Sequence, residues 1–502
     1  ACTAIGARAP RPRNANAGRD VTRWGVLAFA GTSLISTFTS LSPTASTWGL
    51  GGYYGGLMLV LFTAAGYWAV RSYLDLENLD FVFWVLGITT SIVAVLYVLN
   101  IFNIDLIGAY ADTAVVERAQ FFSTLGQKDF NGCFFSVALP IVFYQFLNAK
   151  DTRTAVWTGI PAAFGALALA VVDSEALALG IGAAVMVLVC HKNFTTRHLR
   201  RAALISAAFF GWAAWMHYMR ASVYTQGGTA LLAKLGAWQV ALPCMAASLL
   251  LWLVLFVLAR KGIAAQAPLY LPGRVITIAV LAVGALAFVL ANAMPNRPLP
   301  ESLHNLLVFN DDWGTYRGVA WRAAFGTWAD GSLLRKIVGI GPGMMHTAVA
   351  AWAGDAMTAR MATFYAAHNE YLEQLLTTGI LGLTAWLLLV AAHLQRGERS
   401  WNTPGVAPVM LALCSYLAQA VVSIRVSMVF PLVMLLFGAL AALTAPELPQ
   451  PAAPALRGKK QQKPEPLPPK NAWYFAKTVL AAVLCMAAAS GIAPLLFGFL
   501  MG

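Results

Sequence analysis

Long apolar runs separated by short polar connections dominate the chain between residues 24 and 498. Because about twenty apolar residues cross the hydrocarbon core of a bilayer as a helix, each run predicts one membrane-spanning helix. Strands are not expected, since apolar and polar residues do not alternate and unpaired backbone groups are costly in lipid. The pattern predicts about thirteen helices, over residues 24–40, 49–70, 80–101, 129–148, 154–171, 174–190, 202–218, 236–258, 273–293, 371–392, 405–424, 427–445 and 474–498. Residues 154–190 fit either one kinked hairpin or two short helices.

Composition and charge turn this pattern into a topology. Hydrophobic residues make up 59% of the 502 residues, charged residues 11%, and the mean hydropathy is +0.67, as in a polytopic membrane protein. Lysine and arginine are unevenly shared between the two sets of connections, 22 against 5, which predicts a cytoplasmic N-terminus. The net charge of +13 therefore reflects topology and anionic inner-leaflet lipid, and nucleic acid is not expected as a partner.

The runs divide the chain into six predicted segments. The first is a disordered, basic cytoplasmic tail rather than a cleaved signal peptide, since many apolar runs follow it. A long outer loop, expected to be functional, separates helices 1–9 from helices 10–12. A proline-rich cytoplasmic linker then leads to an extra C-terminal helix. In order, the segments are residues 1–23, 24–293, 294–370, 371–445, 446–473 and 474–502.

Ionisable residues on the predicted outer face are the candidates for chemistry, because charge near a membrane is costly and usually functional. Arginine suits phosphate oxygens, since its planar guanidinium pairs with them and stays charged. A histidine among arginines suggests a general base with an electrostatic clamp. These candidates are Asp173, Glu175, His217, Arg220, Arg317, Arg322, Arg360, His368, Glu370, Glu373 and Arg425. Zinc, P-loop and dinucleotide-binding patterns are not seen, so neither a cofactor nor a metal is expected.

Several of these residues also have simpler interpretations. His368 fits the cap of a helix beginning near residue 370, and Arg317 fits a surface ion pair with Asp311 or Asp312. Arg425 fits either a membrane anchor or a phosphate ligand. Asp173 and Glu175 fit helix ends. The glycines of the turn Gly339-Ile340-Gly341-Pro342-Gly343 would let backbone N–H groups approach an anion or another helix, and residues 352–366 fit an amphipathic surface helix.

Three stretches of residues 120–440 together resemble a known signature. His368-Asn369 is followed after nine residues by Gly379 and then Gly382; Arg317 and Trp321 precede the 339–343 turn; and Gly126, Asn131 and Pro140 are similarly ordered, with Phe130 where proline is common. This arrangement resembles the bacterial O-antigen ligase and O-antigen polymerase superfamily, to which O-oligosaccharyltransferases are related.

The resemblance implies an all-α, GT-C-like membrane glycosyltransferase of about 12–13 helices with one large periplasmic loop. Its donor would be a glycan on undecaprenyl diphosphate, and its acceptor lipid A–core or a growing glycan. By position, His368 would be the general base and Arg317 would hold the diphosphate, inverting the anomeric carbon without metal or cofactor. Asn369, Glu370, Trp321, Asp173 and Glu175 would support them. The protein would lie in the bacterial inner membrane, in contact with its lipids, with the site facing the periplasm.

One departure from the family pattern concerns the diphosphate site. Many members carry Ser-Arg before the outer loop, where this chain reads Asp173-Ser174-Glu175. Arg220 and Arg425 are the outward-facing arginines that would replace the missing one. Ligation to lipid A–core is the leading expectation, followed by polymerisation and then transfer to protein. A flippase or exporter for lipid-linked sugars is the alternative from another class, and would need a polar path through both membrane halves instead of one outer cavity.

Overall fold

The computed structural model describes residues 20–49, 53–74, 76–111, 121–172, 174–222, 234–263, 265–294, 299–349, 352 and 365–445. The first ten helices are α1 (Val21–Phe38), α2 (Pro43–Trp48), α3 (Leu57–Tyr73), α4 (Leu76–Ile101), α5 (Lys128–Asn148), α6 (Thr152–Val171), α7 (Glu175–Cys190), α8 (Thr196–Ser222), α9 (Trp238–Arg260) and α10 (Tyr270–Ala293). They are followed by α11 (Glu301–Leu307), α12 (Trp313–Ala329), α13 (Leu333–Val338), α14 (Glu370–Arg399), α15 (Val406–Gln419) and α16 (Phe430–Leu443). A small antiparallel hairpin, β1 (Phe121–Phe122) with β2 (Gly126–Gln127), precedes α5.

The helical membrane architecture predicted from the apolar runs is confirmed. Each of the first twelve predicted runs overlaps one of these helices, and residues 154–190 form two helices, α6 and α7. Among the described residues, six helices are long and apolar enough to cross a membrane: α4, α5, α6, α9, α10 and α14. The predicted tail, linker and thirteenth helix, at residues 1–19 and 446–502, lie outside the described residues, as does most of the predicted helix at 352–366.

Helix α14 is the axis against which the site is built. Helix α1 packs along it, close enough that a Cβ on Gly25 would lie 2.9 Å from the Leu389 Cα. At one end, the Asp20 carboxylate binds Arg71 of α3 and Arg396 of α14. At the other end, the Ser36 hydroxyl donates to the Thr377 carbonyl oxygen, 2.6 Å away. The aromatic side chains of Trp386, Phe430 and Phe437 fill the space between α14 and α16.

A break at Gly379 divides α14, where the backbone has a φ of 68°. Such a break frees carbonyl groups, which must find other donors in a membrane protein. The turn after α13 supplies them: the Ile340 N–H donates to the Leu376 oxygen (3.2 Å) and the Gly341 N–H to the Thr377 oxygen (2.9 Å). The glycine-rich turn thus serves the approach of another helix, one of the two roles its sequence left open.

Residues 313–349 pack as a small apolar unit against the start of α14. Its buried side chains include Val319, Ala323, Ile340 and Met345, which contact Ala367 and Leu376. Helix α12 therefore lies beside the loop that precedes α14. This packing brings Arg317 of α12 to the same region as His368, the predicted base.

Candidate functional site

His368 lies immediately before α14 in a left-handed backbone conformation, with a φ of 49°. A residue other than glycine pays for this conformation with strain, so its neighbours must hold it there. The Ala367 N–H donates to the Glu373 carboxylate (3.3 Å), and the Trp321 indole N–H donates to the His368 carbonyl oxygen (3.4 Å). Strain of this kind is common at functional sites, and here it falls on the predicted base.

The cap of α14 is Asn369. Its side-chain oxygen accepts hydrogen bonds from the N–H groups of Tyr371 and Leu372, both 3.0 Å away, as an N-cap does. The capping role that the sequence left open for His368 therefore belongs to its neighbour. The imidazole is left to interact with residues from other elements.

Arg317 is the cation on this side of the loop. It follows three successive left-handed residues, Gly314, Thr315 and Tyr316, and its side chain is only 12% exposed. One guanidinium nitrogen lies 3.4 Å from the Glu175 carboxylate at the start of α7. The ion pair considered from sequence, with Asp311 or Asp312, was therefore assigned to the wrong carboxylate.

Asp311 instead pairs with Arg322, five residues beyond Arg317 in α12. The two arginines of α12 thus have separate partners. Arg322 is more than half exposed, at 56%, whereas Arg317 is largely enclosed by the residues around it. Of the two, Arg317 is the one placed to act on His368.

Asp129 completes this group and was missed in the sequence. It lies in the first turn of α5 and accepts a hydrogen bond from the Ser174 hydroxyl (3.1 Å). It is close enough to His368 to influence its ionisation. The signal available was its position two residues before Asn131, inside the glycine-to-asparagine stretch of the family-like pattern.

These surroundings set the ionisation of His368. Burial and the neighbouring Arg317 lower the pKa of His368 to about 4, an effect that the Asp129 carboxylate partly offsets. The imidazole is therefore neutral near pH 7 and able to accept a proton. An anion bound at Arg317 would cancel part of the arginine's influence and raise the pKa of His368, making it a stronger base.

Arg425 occupies a different environment, beside Glu370 at the start of α14. Its guanidinium binds the Glu370 carboxylate through two nitrogens, at 2.9 and 2.6 Å, and lies over the Phe430 ring. Glu370 is only 1% exposed and also accepts a hydrogen bond from the Tyr416 hydroxyl (2.6 Å). This pair fastens the start of α14 to the loop after α15. Arg425 is therefore engaged in an internal ion pair, and neither of the two roles left open for it, a membrane anchor or a phosphate ligand, is shown.

The structure thus brings together His368, Arg317, Glu175, Trp321 and Asp129, and puts Arg425 and Glu370 in a neighbouring cavity. The expectation of three groups around one cavity, His368, Arg317 and a further arginine, is not met by Arg425. Asp173 and the side chain of Arg220 lie outside the described residues. In the part of the chain that the structure describes, groups of three or more His, Cys, Asp or Glu side chains suited to a metal do not occur.

No protein-family model matches the chain, and no curated protein matches it.

Proposed function

We propose that this chain is a membrane glycosyltransferase that transfers a glycan from undecaprenyl diphosphate to a hydroxyl group, as an O-antigen ligase does with lipid A–core. The observation that carries the proposal is the placing of a neutral, strained histidine beside a largely enclosed arginine. Such a pair joins a base for the attacking hydroxyl with a cation for the departing diphosphate. The family-like order of the His368, Arg317 and glycine motifs supports the same reaction class.

The proposed reaction uses His368 and Arg317 at opposite ends of one displacement. The acceptor hydroxyl loses its proton to His368 while its oxygen bonds to the anomeric carbon of the donor sugar. The bond from that carbon to the diphosphate breaks, and the electron pair leaves with the lipid diphosphate, whose charge Arg317 stabilises. Attack opposite the leaving group inverts the anomeric carbon. Asp129 would stabilise the imidazolium that forms.

The test uses purified protein in lipid with an undecaprenyl-diphosphate-linked glycan and lipid A–core. His368→Ala should lower transfer by at least about a hundredfold, the usual contribution of a general base. The matched control is His304→Ala, a histidine in α11, which should transfer normally. Elongation of the lipid-linked glycan without transfer to lipid A–core would assign a polymerase. Full activity of His368→Ala would overturn the mechanism.

A further inference from the structure

A cavity lies next to the loop that carries His368, between α1, α14 and the loop that carries Arg425. It has about 650 Å³ of unoccupied space when the open solvent at its edge is counted. Glu370, Glu373, Gln374 and Arg425 line its interior, and Ala366 forms part of its wall two residues before His368. Its position makes it a neighbour of the proposed reaction centre, but His368 and Arg317 do not line it.

The polar groups of this cavity are mainly hydrogen-bond acceptors. The hydroxyls of three lining residues already donate to helix carbonyls: Ser33 to Phe29 (2.9 Å), Thr377 to Glu373 (2.6 Å) and Thr378 to Gln374 (2.8 Å). A hydroxyl whose hydrogen is engaged still has lone pairs to offer. Glu373 adds two carboxyl oxygens, one of which already accepts a hydrogen bond from the Ala367 N–H (3.3 Å). A ligand rich in O–H donors would satisfy them.

The charges of the cavity disfavour an anion. Its one guanidinium, that of Arg425, faces two carboxyl groups, and it is bound to Glu370 and packed on the Phe430 ring. A diphosphate would meet no unmatched positive charge here, in contrast with the Arg317 side of the loop. The cavity therefore suits a neutral, polyhydroxylated ligand better than the phosphate-bearing end of a donor.

Two aromatic rings, those of Tyr53 and Tyr365, line the cavity. Tyr53 and Tyr365 are stacked, with ring centroids 5.3 Å apart and an angle of 27° between their planes. The Tyr365 ring also contacts the His346 ring, with centroids 4.9 Å apart, and remains 42% exposed. The face of an aromatic ring carries partial negative charge and attracts the weakly positive C–H groups of a sugar ring. Acceptor oxygens and a partly exposed aromatic ring in one lining suit the hydroxyls and the C–H groups of a pyranose.

We propose that this cavity binds a neutral sugar ring of the acceptor, with Glu373 and Tyr365 as its main contacts. The identification of that ring as the acceptor rests on the proposed transferase function, whereas the binding of a neutral sugar rests on the cavity alone. A ring held here lies beside the loop of His368, so one of its hydroxyls, or one on the adjoining sugar, is brought towards the base.

The experiment measures binding without requiring turnover. Saturation-transfer NMR is recorded with D-glucose and D-galactose on the full chain, purified in a detergent without a sugar headgroup. Wild type should give a signal for at least one hexose, and Glu373→Leu should weaken its affinity at least about tenfold, a loss of about 1.4 kcal/mol. Glu373→Gln keeps an acceptor oxygen and should lose less. Tyr365→Phe should bind as wild type, while Tyr365→Leu should bind more weakly.

Glu175→Leu is the matched control, because it removes a carboxylate on the Arg317 side of the loop and should leave hexose binding intact. No hexose signal from wild type, or equal affinity in Glu373→Leu, would overturn the sugar site even if the wild type transfers glycan. Binding that depends on Glu373 would support the site even if transfer fails, in which case the transferase proposal alone falls.

Discussion

Gly339 and Gly379 each lie against the backbone of the other's segment. A Cβ on Gly339 would come within 2.2 Å of the Thr377 carbonyl oxygen, and one on Gly379 within 2.2 Å of the Ile337 carbonyl oxygen. Both residues also have positive φ angles, of 83° and 68°. The end of α13 and the break in α14 therefore form one joint, in which each side requires a glycine for space and for conformation.

Replacing Gly379 by alanine should open this joint. The added Cβ meets a carbonyl oxygen and the left-handed backbone is strained, so we expect a loss of at least about 2 kcal/mol of stability. Thermal unfolding in detergent should show a clearly lower midpoint. Gly284→Ala is the control, since a Cβ on that α10 glycine would meet nothing within 4 Å. An unchanged midpoint for Gly379→Ala would mean that the two segments separate without cost.

The sequence predicted much of the fold because hydrophobic run length is a local property. Runs such as 129–148 and 273–293 lie within a few residues of α5 and α10. The same reasoning placed Gly339 and Gly379 in functional motifs. Sequence reasoning could not predict that Gly339 and Gly379 contact each other. The two residues are forty positions apart, and each is required because of the backbone of the other's segment.

The candidate site was predicted in part for a similar reason. His368 and Arg317 stand out as rare ionisable residues beside apolar runs, and the structure brings them together. The partners of the arginines depend on tertiary packing, so sequence alone misassigned the carboxylate of Arg317 and left Arg425 undecided. Asp129 was missed because a lone carboxylate at a helix start usually only serves the helix dipole.

The buried pair of Glu370 and Arg425 should be strongly coupled. Removing one partner leaves an uncompensated buried charge, which costs about 3–5 kcal/mol. We therefore expect Glu370→Gln and Arg425→Met each to lower the unfolding midpoint sharply. The double variant should be less destabilised than the sum of the two, as a double-mutant cycle measures. Additive losses would show that the two charges do not depend on each other.

At the opposite end of α14, Asp20 should stabilise the protein through its two arginines. Burial alone would raise the pKa of Asp20, but its hydrogen bond from Thr22 and the charges of Arg71 and Arg396 lower it to about 2. A carboxyl group with a lowered pKa stabilises the fold above its unfolded value of 3.8, and this stabilisation is lost as the pH falls through about 2.

Asp20→Asn should therefore cost about 2 kcal/mol at pH 7 and progressively less below pH 4, as unfolding at a series of pH values would show. Asp151→Asn is the matched control, because Asp151 also caps a helix, α6, but is exposed. A loss for Asp20→Asn that is the same at pH 7 and pH 3 would assign the effect to the helix cap and not to the arginines.

The proton affinity of His368 should depend on Arg317. Diethyl pyrocarbonate reacts with neutral imidazole, so the rate at the His368 peptide, followed by mass spectrometry, reports its protonation without turnover. For wild type the rate should fall with a midpoint near pH 4, because burial and Arg317 lower the pKa of His368 from 6.5 to about 4. Below pH 6.5 the unfolded chain takes up this proton before the folded one, so the stability that His368 contributes is lost as the pH falls towards 4.

Arg317→Gln should move this midpoint upward, though not to 6.5, because the burial of the imidazole remains. Arg317→Lys keeps the charge and should stay close to wild type. Arg322→Gln removes an exposed charge five residues further along α12, already paired with Asp311, and should change little. The transfer rate should fall at low pH with midpoints in the same order among these variants, since the base must be neutral to act. A wild-type midpoint near pH 6.5, or a midpoint that is the same in wild type and Arg317→Gln, would show that the arginine does not lower the pKa of His368.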